Sequence, residues 1–101
     1  MAKVLLSIRY EIDPSKRDEY LGVIKEFKSV LKTDGLESYS VFEVKGKANH
    51  FEEIYTYGSE QAYEEADDSD NERINILINK IADMAVGNTT KYTTLYELGE
   101  N

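Results

Sequence analysis

A chain of 101 residues has the length of one compact domain, and 20 acidic residues against 12 basic ones leave a net charge of −8 that repels phosphate backbones and anionic lipid surfaces. Nucleic acid and membranes are therefore not expected as partners. The absence of cysteine removes disulfides, thiolate metal sites and a cysteine nucleophile together, and it is compatible with a cytoplasmic location.

Residues 1–101 read as a single domain, and a chain this short buries only about two thirds of its unfolded surface, so a partner surface would help its stability. The run Val4-Leu5-Leu6 is too short for a signal-peptide core and is soon interrupted by Arg9 and Glu11. No secretion or transmembrane segment is expected.

Residues 3–12 alternate with period two, with Val4, Leu6, Ile8, Tyr10 and Ile12 on one side and Leu5, Ser7, Arg9 and Glu11 on the other. That is a first strand. Asp13-Pro14 then opens a helix, because the aspartate accepts from free backbone N–H groups and proline lacks the donor that would be orphaned there. Tyr20, Val23, Ile24, Phe27, Val30 and Leu31 recur at helical spacing and predict an amphipathic helix of about five turns, with Gly35 as a left-handed stop. Residues 37–44 and 50–57 predict an antiparallel hairpin around a loop containing Gly46 and Asn49. Ser59 precedes a short helix at 60–66. Ser69 with Glu72 has capping-box spacing and opens a further helix near Asp70, whose buried stripe is Ile74, Leu77, Ile78, Ile81 and Met84 or Ala85. Gly87-Asn88 ends it, and residues 89–98 return to the β-branched and aromatic types of a last strand.

The order strand, helix, strand, strand, helix pair, strand predicts an α+β, ferredoxin-like sandwich: a four-stranded antiparallel sheet with helices on one face. The other face of such a sheet is open. Tyr10, Tyr39, Tyr55, Tyr57, Tyr92 and Tyr96 fall on strands together with Phe42 and Phe51. Aromatic bodies with polar tips suit a protein interface, so the expectation is a homodimer through the open sheet face. The simpler alternative is that these rings fill the sandwich core and its rim.

Three stretches carry a family resemblance over nearly the whole chain. The opening strand Val4-Leu5-Leu6-Ser7-Ile8-Arg9-Tyr10-Glu11-Ile12 runs into Asp13-Pro14-Ser15-Lys16, Gly35 stands four residues before Tyr39, and Tyr57-Gly58-Ser59-Glu60-Gln61-Ala62-Tyr63 passes from a strand to a helix. Together they resemble the dimeric α+β barrel superfamily and, within it, the antibiotic-biosynthesis-monooxygenase-like domains. That resemblance implies a dimer with a pocket between helices and sheet in each subunit. It also implies either cofactor-independent oxygenation of a small aromatic or quinol, with no cofactor, or a non-catalytic dimeric protein that binds a small ligand or serves in stress. Two departures stand out. Oxygenases of the family often carry tryptophan where Tyr57 stands, and this chain has none. Its haem-degrading members bring a histidine in a Ser-Pro-His-Phe-like segment where this chain has Ser69-Asp70-Asn71-Glu72, so haem chemistry is disfavoured.

Arg9 is charged in mid-strand and must be paired or face a cavity, with Glu53 or Glu97 as the expected partner. Its simpler role is an ion pair at the dimer face. Its sharper role is an anchor for an anionic or enolate-like substrate oxygen. Tyr55, Tyr57 and Tyr96 supply phenolic donors for a flat aromatic, although packing accounts for them equally. The catalytic candidates are thus Arg9 and Tyr57, and the substrate-binding set is Arg9, Tyr55, Tyr57, Tyr96 and His50. His50, the one histidine, sits beside a turn where a solvated surface group is the simpler reading. The acidic run 64–72 invites calcium, yet Arg73 stands where a loop beginning at Asp68 would need glycine. It reads as the solvated start of a helix, and no metal site is expected.

Overall fold

The computed structural model describes residues 2–31, 35–66 and 72–98. Its elements are β1 (Val4–Glu11), a 3-10 turn (Pro14–Lys16), α1 (Arg17–Val30), β2 (Leu36–Glu43), β3 (His50–Tyr57), α2 (Glu60–Ala66), α3 (Glu72–Met84) and β4 (Lys91–Tyr96). The four strands form one antiparallel sheet in the order β2-β3-β1-β4. The expected α+β ferredoxin-like plan is the observed one.

Local chemistry accounts for the boundaries. Asp13 caps the 3-10 turn, its Oδ1 accepting from Ser15 N at 2.9 Å and Ser15 Oγ at 2.8 Å. α1 is shorter than expected, since Leu31 turns to an extended conformation while its N–H still donates to Phe27 O. Gly35 does take a left-handed φ of 87°, and a β-carbon there would meet that of Ala62 at 2.4 Å, so glycine also lets α2 sit close. In the β2–β3 loop, Gly46 and Asn49 both adopt positive φ. Arg17 locks that loop to α1, donating to Glu43 Oε2 at 2.7 Å and to Asn49 Oδ1 at 3.0 Å. The end of β1 is tied to the end of α3 through Asp13 N to Met84 O and Val86 N to Glu11 O. The proposed capping residue Ser69 lies outside the described residues.

Tyr20, Val23, Ile24 and Phe27 of α1 pack with Ile74, Leu77, Ile81 and Met84 of α3 over Val4, Tyr10, Phe51, Tyr55 and Tyr57 of the sheet, forming one core. Ile78 departs from the expected stripe: it is 46% exposed. Its place on α3 is at the edge of the buried stripe, where it borders a cavity instead of filling it.

The registers also correct the aromatic argument for dimerisation. Val4, Leu6, Ile8 and Tyr10 stand opposite Tyr57, Tyr55, Glu53 and Phe51 of β3, while Val4, Leu6 and Ile8 stand opposite Tyr96, Thr94 and Tyr92 of β4. Tyr39 stands opposite Tyr55. Because directly opposed residues share a face, all six strand tyrosines and Phe51 lie on the helix side, and only Phe42 is on the open side. The rings mostly fill the core and its rim, as the simpler alternative had it. The open face instead carries cross-strand rows such as Ser38, Thr56, Leu5 and Leu95, or Phe42, Glu52, Arg9 and Lys91.

Candidate functional site

A cavity of about 290 Å³ lies between the helices and the β3–β1–β4 part of the sheet. Its sheet side is formed by Leu6, Ile8, Tyr10, Glu53, Tyr55, Tyr57 and Tyr92, and its helix side by Phe27, Ile74, Ile78, Ile81 and Ala82. Nearly all of this wall is apolar or aromatic. The exceptions are Thr90 and Glu53, the latter only 3% exposed.

Strand geometry explains how a carboxylate comes to rest there. Glu53 faces the helices because it alternates with Phe51, Tyr55 and Tyr57 along β3. Its direct cross-strand neighbours are Ile8 and Val41, which offer no hydrogen bond. The diagonal neighbours do, since Tyr10 stands opposite Phe51 and Tyr39 opposite Tyr55, two residues either side of Glu53. Long aromatic side chains span that diagonal. Tyr10 donates to Glu53 Oε2 at 2.6 Å, Tyr39 to Oε1 at 2.8 Å and Tyr55 to Oε1 at 3.0 Å. Tyr20 of α1 extends the chain, its hydroxyl 2.7 Å from that of Tyr10.

Burial pushes the Glu53 carboxyl above the usual carboxylate range, and the hydrogen bonds from Tyr10, Tyr39 and Tyr55 only partly offset it. Burial likewise raises Tyr10, Tyr39 and Tyr55, with the negative charge of Glu53 adding to the effect. Tyr20 is raised by burial as well, with its bond to Tyr10 acting the other way. These phenols therefore remain protonated donors, and the carboxylate is the group of this cluster that changes charge most readily. A carboxylate has about four acceptor positions, of which the three phenols occupy three. The arrangement can hold a proton, release one, or accept a hydrogen bond from a ligand.

Of the residues expected at a site, Tyr55 and Tyr57 line the cavity, with their rings stacked at 6.4 Å. Tyr96 is on the same face but outside the cavity wall, at the solvent edge of β4. Arg9 and His50 are on the opposite face. Arg9 pairs with Glu52 at 2.7 Å, not with Glu53 or Glu97, and its side chain is 53% exposed. Glu97 instead accepts from the backbone N–H of Lys3. His50 lies 3.7 Å from Glu11, both partly exposed. Period two explains the separation, because Arg9 is an odd-numbered step away from the inward residues Ile8 and Tyr10. The sequence signal for Glu53 was a carboxylate alternating with three aromatics on one strand. Considering it only as a partner for Arg9 missed that signal.

No family model matches the chain, and no curated protein matches it. Solved structures do. A protein from Caulobacter crescentus CB15, provisionally assigned as an antibiotic biosynthesis monooxygenase, superposes with a TM-score of 0.81 at 13% identity, covering 98% of this chain and 92% of its own. A variant of SnoaB, a cofactor-independent oxygenase from Streptomyces nogalater, gives 0.74 at 12% identity, covering 92% and 90%. Another antibiotic biosynthesis monooxygenase gives 0.71 at 18% identity over the full length of both chains. Resemblance at that level of identity is resemblance of fold. The chain thus has an α+β ferredoxin-like fold shared with antibiotic-biosynthesis-monooxygenase-like proteins.

Proposed function

We propose that the protein catalyses cofactor-independent oxygenation of a small reduced aromatic, with Glu53 as the general base. The observation that carries this reading is the buried Glu53 carboxylate in the wall of an otherwise apolar cavity. A base is most effective when its pKa approaches the working pH, and burial moves Glu53 in that direction. A volume of about 290 Å³ is at the small end for ligand pockets and suits a compact ring system.

In the proposed reaction, a phenol or anthrone-like substrate gives a proton to Glu53, and the negative charge moves from the carboxylate to the substrate. The cavity therefore holds one negative charge before and after the step. Dioxygen, the oxidant, forms a bond to the electron-rich carbon, and Glu53 returns the proton to give a hydroperoxide. Loss of water from the hydroperoxide leaves a new carbonyl, so that O₂ converts the CH₂ of an anthrone to C=O, or the ring C–H and C–OH of a phenol to the two C=O groups of a quinone, with release of one H₂O. Tyr10 and Tyr55, which share the cavity wall, orient Glu53 by donating to it. Tyr57 supplies a ring against which the substrate stacks.

We further propose that the working form is a cytoplasmic homodimer joined through the open sheet face. Leu5, Phe42, Ile54 and Leu95 supply its apolar contacts, while Arg9 and Glu52 supply the ion pair at its centre.

Oxygen uptake with a panel of hydroquinones and anthrone-like phenols, corrected for spontaneous oxidation, tests the catalytic reading. Saturable uptake that Glu53→Gln lowers by about 100-fold or more is expected for a general base. A second reading is a non-catalytic binding protein, favoured by each buried polar side-chain atom among the described residues already having at least one hydrogen-bond partner. Absence of uptake across the panel, with ligand binding retained, would establish it in place of the first.

A further inference from the structure

The charges around the cavity narrow its ligand further than the oxygenation reading on which this inference rests. Glu53 is the buried charged residue of the described core, and no lysine or arginine among the described residues pairs with it. No lysine, arginine or histidine stands among the described residues of the cavity wall, whose polar groups are Glu53, Thr90 and tyrosine hydroxyls. An anionic ligand would bring a second negative charge beside the buried Glu53 carboxylate, with no cation among the described lining residues to meet it, at a cost that falls on affinity. A neutral hydroxyl finds the opposite situation. Three of the acceptor positions of Glu53 are taken by Tyr10, Tyr39 and Tyr55, which leaves one for a donor from the ligand.

We propose that Glu53 is the specificity determinant of this cavity: it selects uncharged aromatic rings bearing a free hydroxyl and excludes rings bearing a carboxylate. The same side chain that would accept the proton sorts ligands by charge before any reaction. Arg9, the cation expected to anchor an anionic oxygen, is paired with Glu52 on the far side of the sheet and does not reach the cavity.

The test is calorimetric titration of the intact protein under anaerobic conditions with three ligands on one ring system: naphthol, its methyl ether and naphthoate. Naphthol is expected to bind, the ether roughly tenfold more weakly for want of the donated hydrogen bond, and naphthoate not measurably. Two variants then address charge directly. Glu53→Gln should admit naphthoate, and its fold is checked by circular dichroism. Ile78→Arg, which changes an exposed side chain at the cavity border, places a cation there without disturbing the buried cluster. It should raise naphthoate affinity by about tenfold or more. The proposal is overturned if naphthoate binds the natural protein as well as naphthol does, if the ether matches naphthol, if none of the three binds, or if naphthoate stays excluded in Ile78→Arg. Selective binding without oxygen uptake would remove the oxygenase reading while leaving the selectivity rule in place.

Discussion

Glu52 and Glu53 are consecutive on β3 and differ in nearly everything a carboxylate can experience. Glu52 points to the open face, where it accepts from Ser7 Oγ and from Arg9 Nη2, the latter at 2.7 Å. The bond from Ser7, followed by that from Arg9, lowers its pKa. Glu53 points to the helices, meets three phenols and no cation among the described residues, and is raised by burial. The lesson is that a 180° alternation along a strand separates a solvated ion pair from a buried, chemically available base within one peptide unit.

The largest effect should come from breaking the buried side of this comparison. Glu53→Ala removes the acceptor of Tyr10, Tyr39 and Tyr55 at once; Tyr10 can still turn its hydroxyl to Tyr20, but the buried Tyr55 and the half-buried Tyr39 lose their acceptor, which should cost about 2 kcal/mol or more in urea unfolding. A loss under about 1 kcal/mol would show that the network contributes little to the fold.

On the open side, Ile54→Asp places a charge in the middle of the sheet surface proposed to pair. Light scattering across a dilution series should show a dimer dissociating at least tenfold more readily, since the new carboxylate would be desolvated at the interface. A strict monomer in the unmodified protein would refute the pairing outright.

pH should separate the two carboxylates by sign. Glu53 has its folded pKa raised, so its contribution is fully present below the usual carboxylate value and is lost as pH rises through the raised one. Relative to Glu53→Gln, the natural protein should therefore lose melting temperature as pH rises from 4.5 toward neutrality. Glu52 is depressed, so its contribution is present above the usual value and fades as pH falls below it. Glu43 behaves the same way over a wider window, its pKa drawn down to about 2 by the Arg17 guanidinium and the Asn49 N–H. Acid melting curves of Glu52→Gln and Glu53→Gln that shift in the same direction would contradict this assignment.

The smallest effect is expected at Arg9. Its ion pair is half exposed, so Arg9→Ala should change protomer stability by less than about 1 kcal/mol. Equilibrium unfolding at low concentration reads that term, and repeating it at high concentration shows how much more the pair contributes once two sheets meet.

Much of the fold was legible because it rests on local periodicity. β3 and α2 fall where their residue patterns place them, 50–57 and 60–66, and the inward set Val4, Leu6, Ile8 and Tyr10 of β1 is the observed one. The site was legible only in part. Of the candidate ligand-binding residues, Tyr55 and Tyr57 line the cavity, whereas Arg9 and His50, whose simpler readings were an ion pair and a solvated surface group, lie on the other side of the sheet. A mid-strand charge announces that something must satisfy it, but whether that is a neighbour, a partner chain or a ligand depends on the strand beside it.

The sequence by itself determined the element types, their order and which side chains share a face, since these follow from backbone sterics and short-range spacing that each segment carries alone. Strand pairing decided the rest. Only when β1 and β2 flank β3 do Tyr10 and Tyr39 reach Glu53 from opposite diagonals, and only when α1 and α3 cover that face does the carboxylate lose its water. Both are contacts between residues distant along the chain, set by the packing of whole elements, and they turn an ordinary glutamate into the candidate base of the cavity.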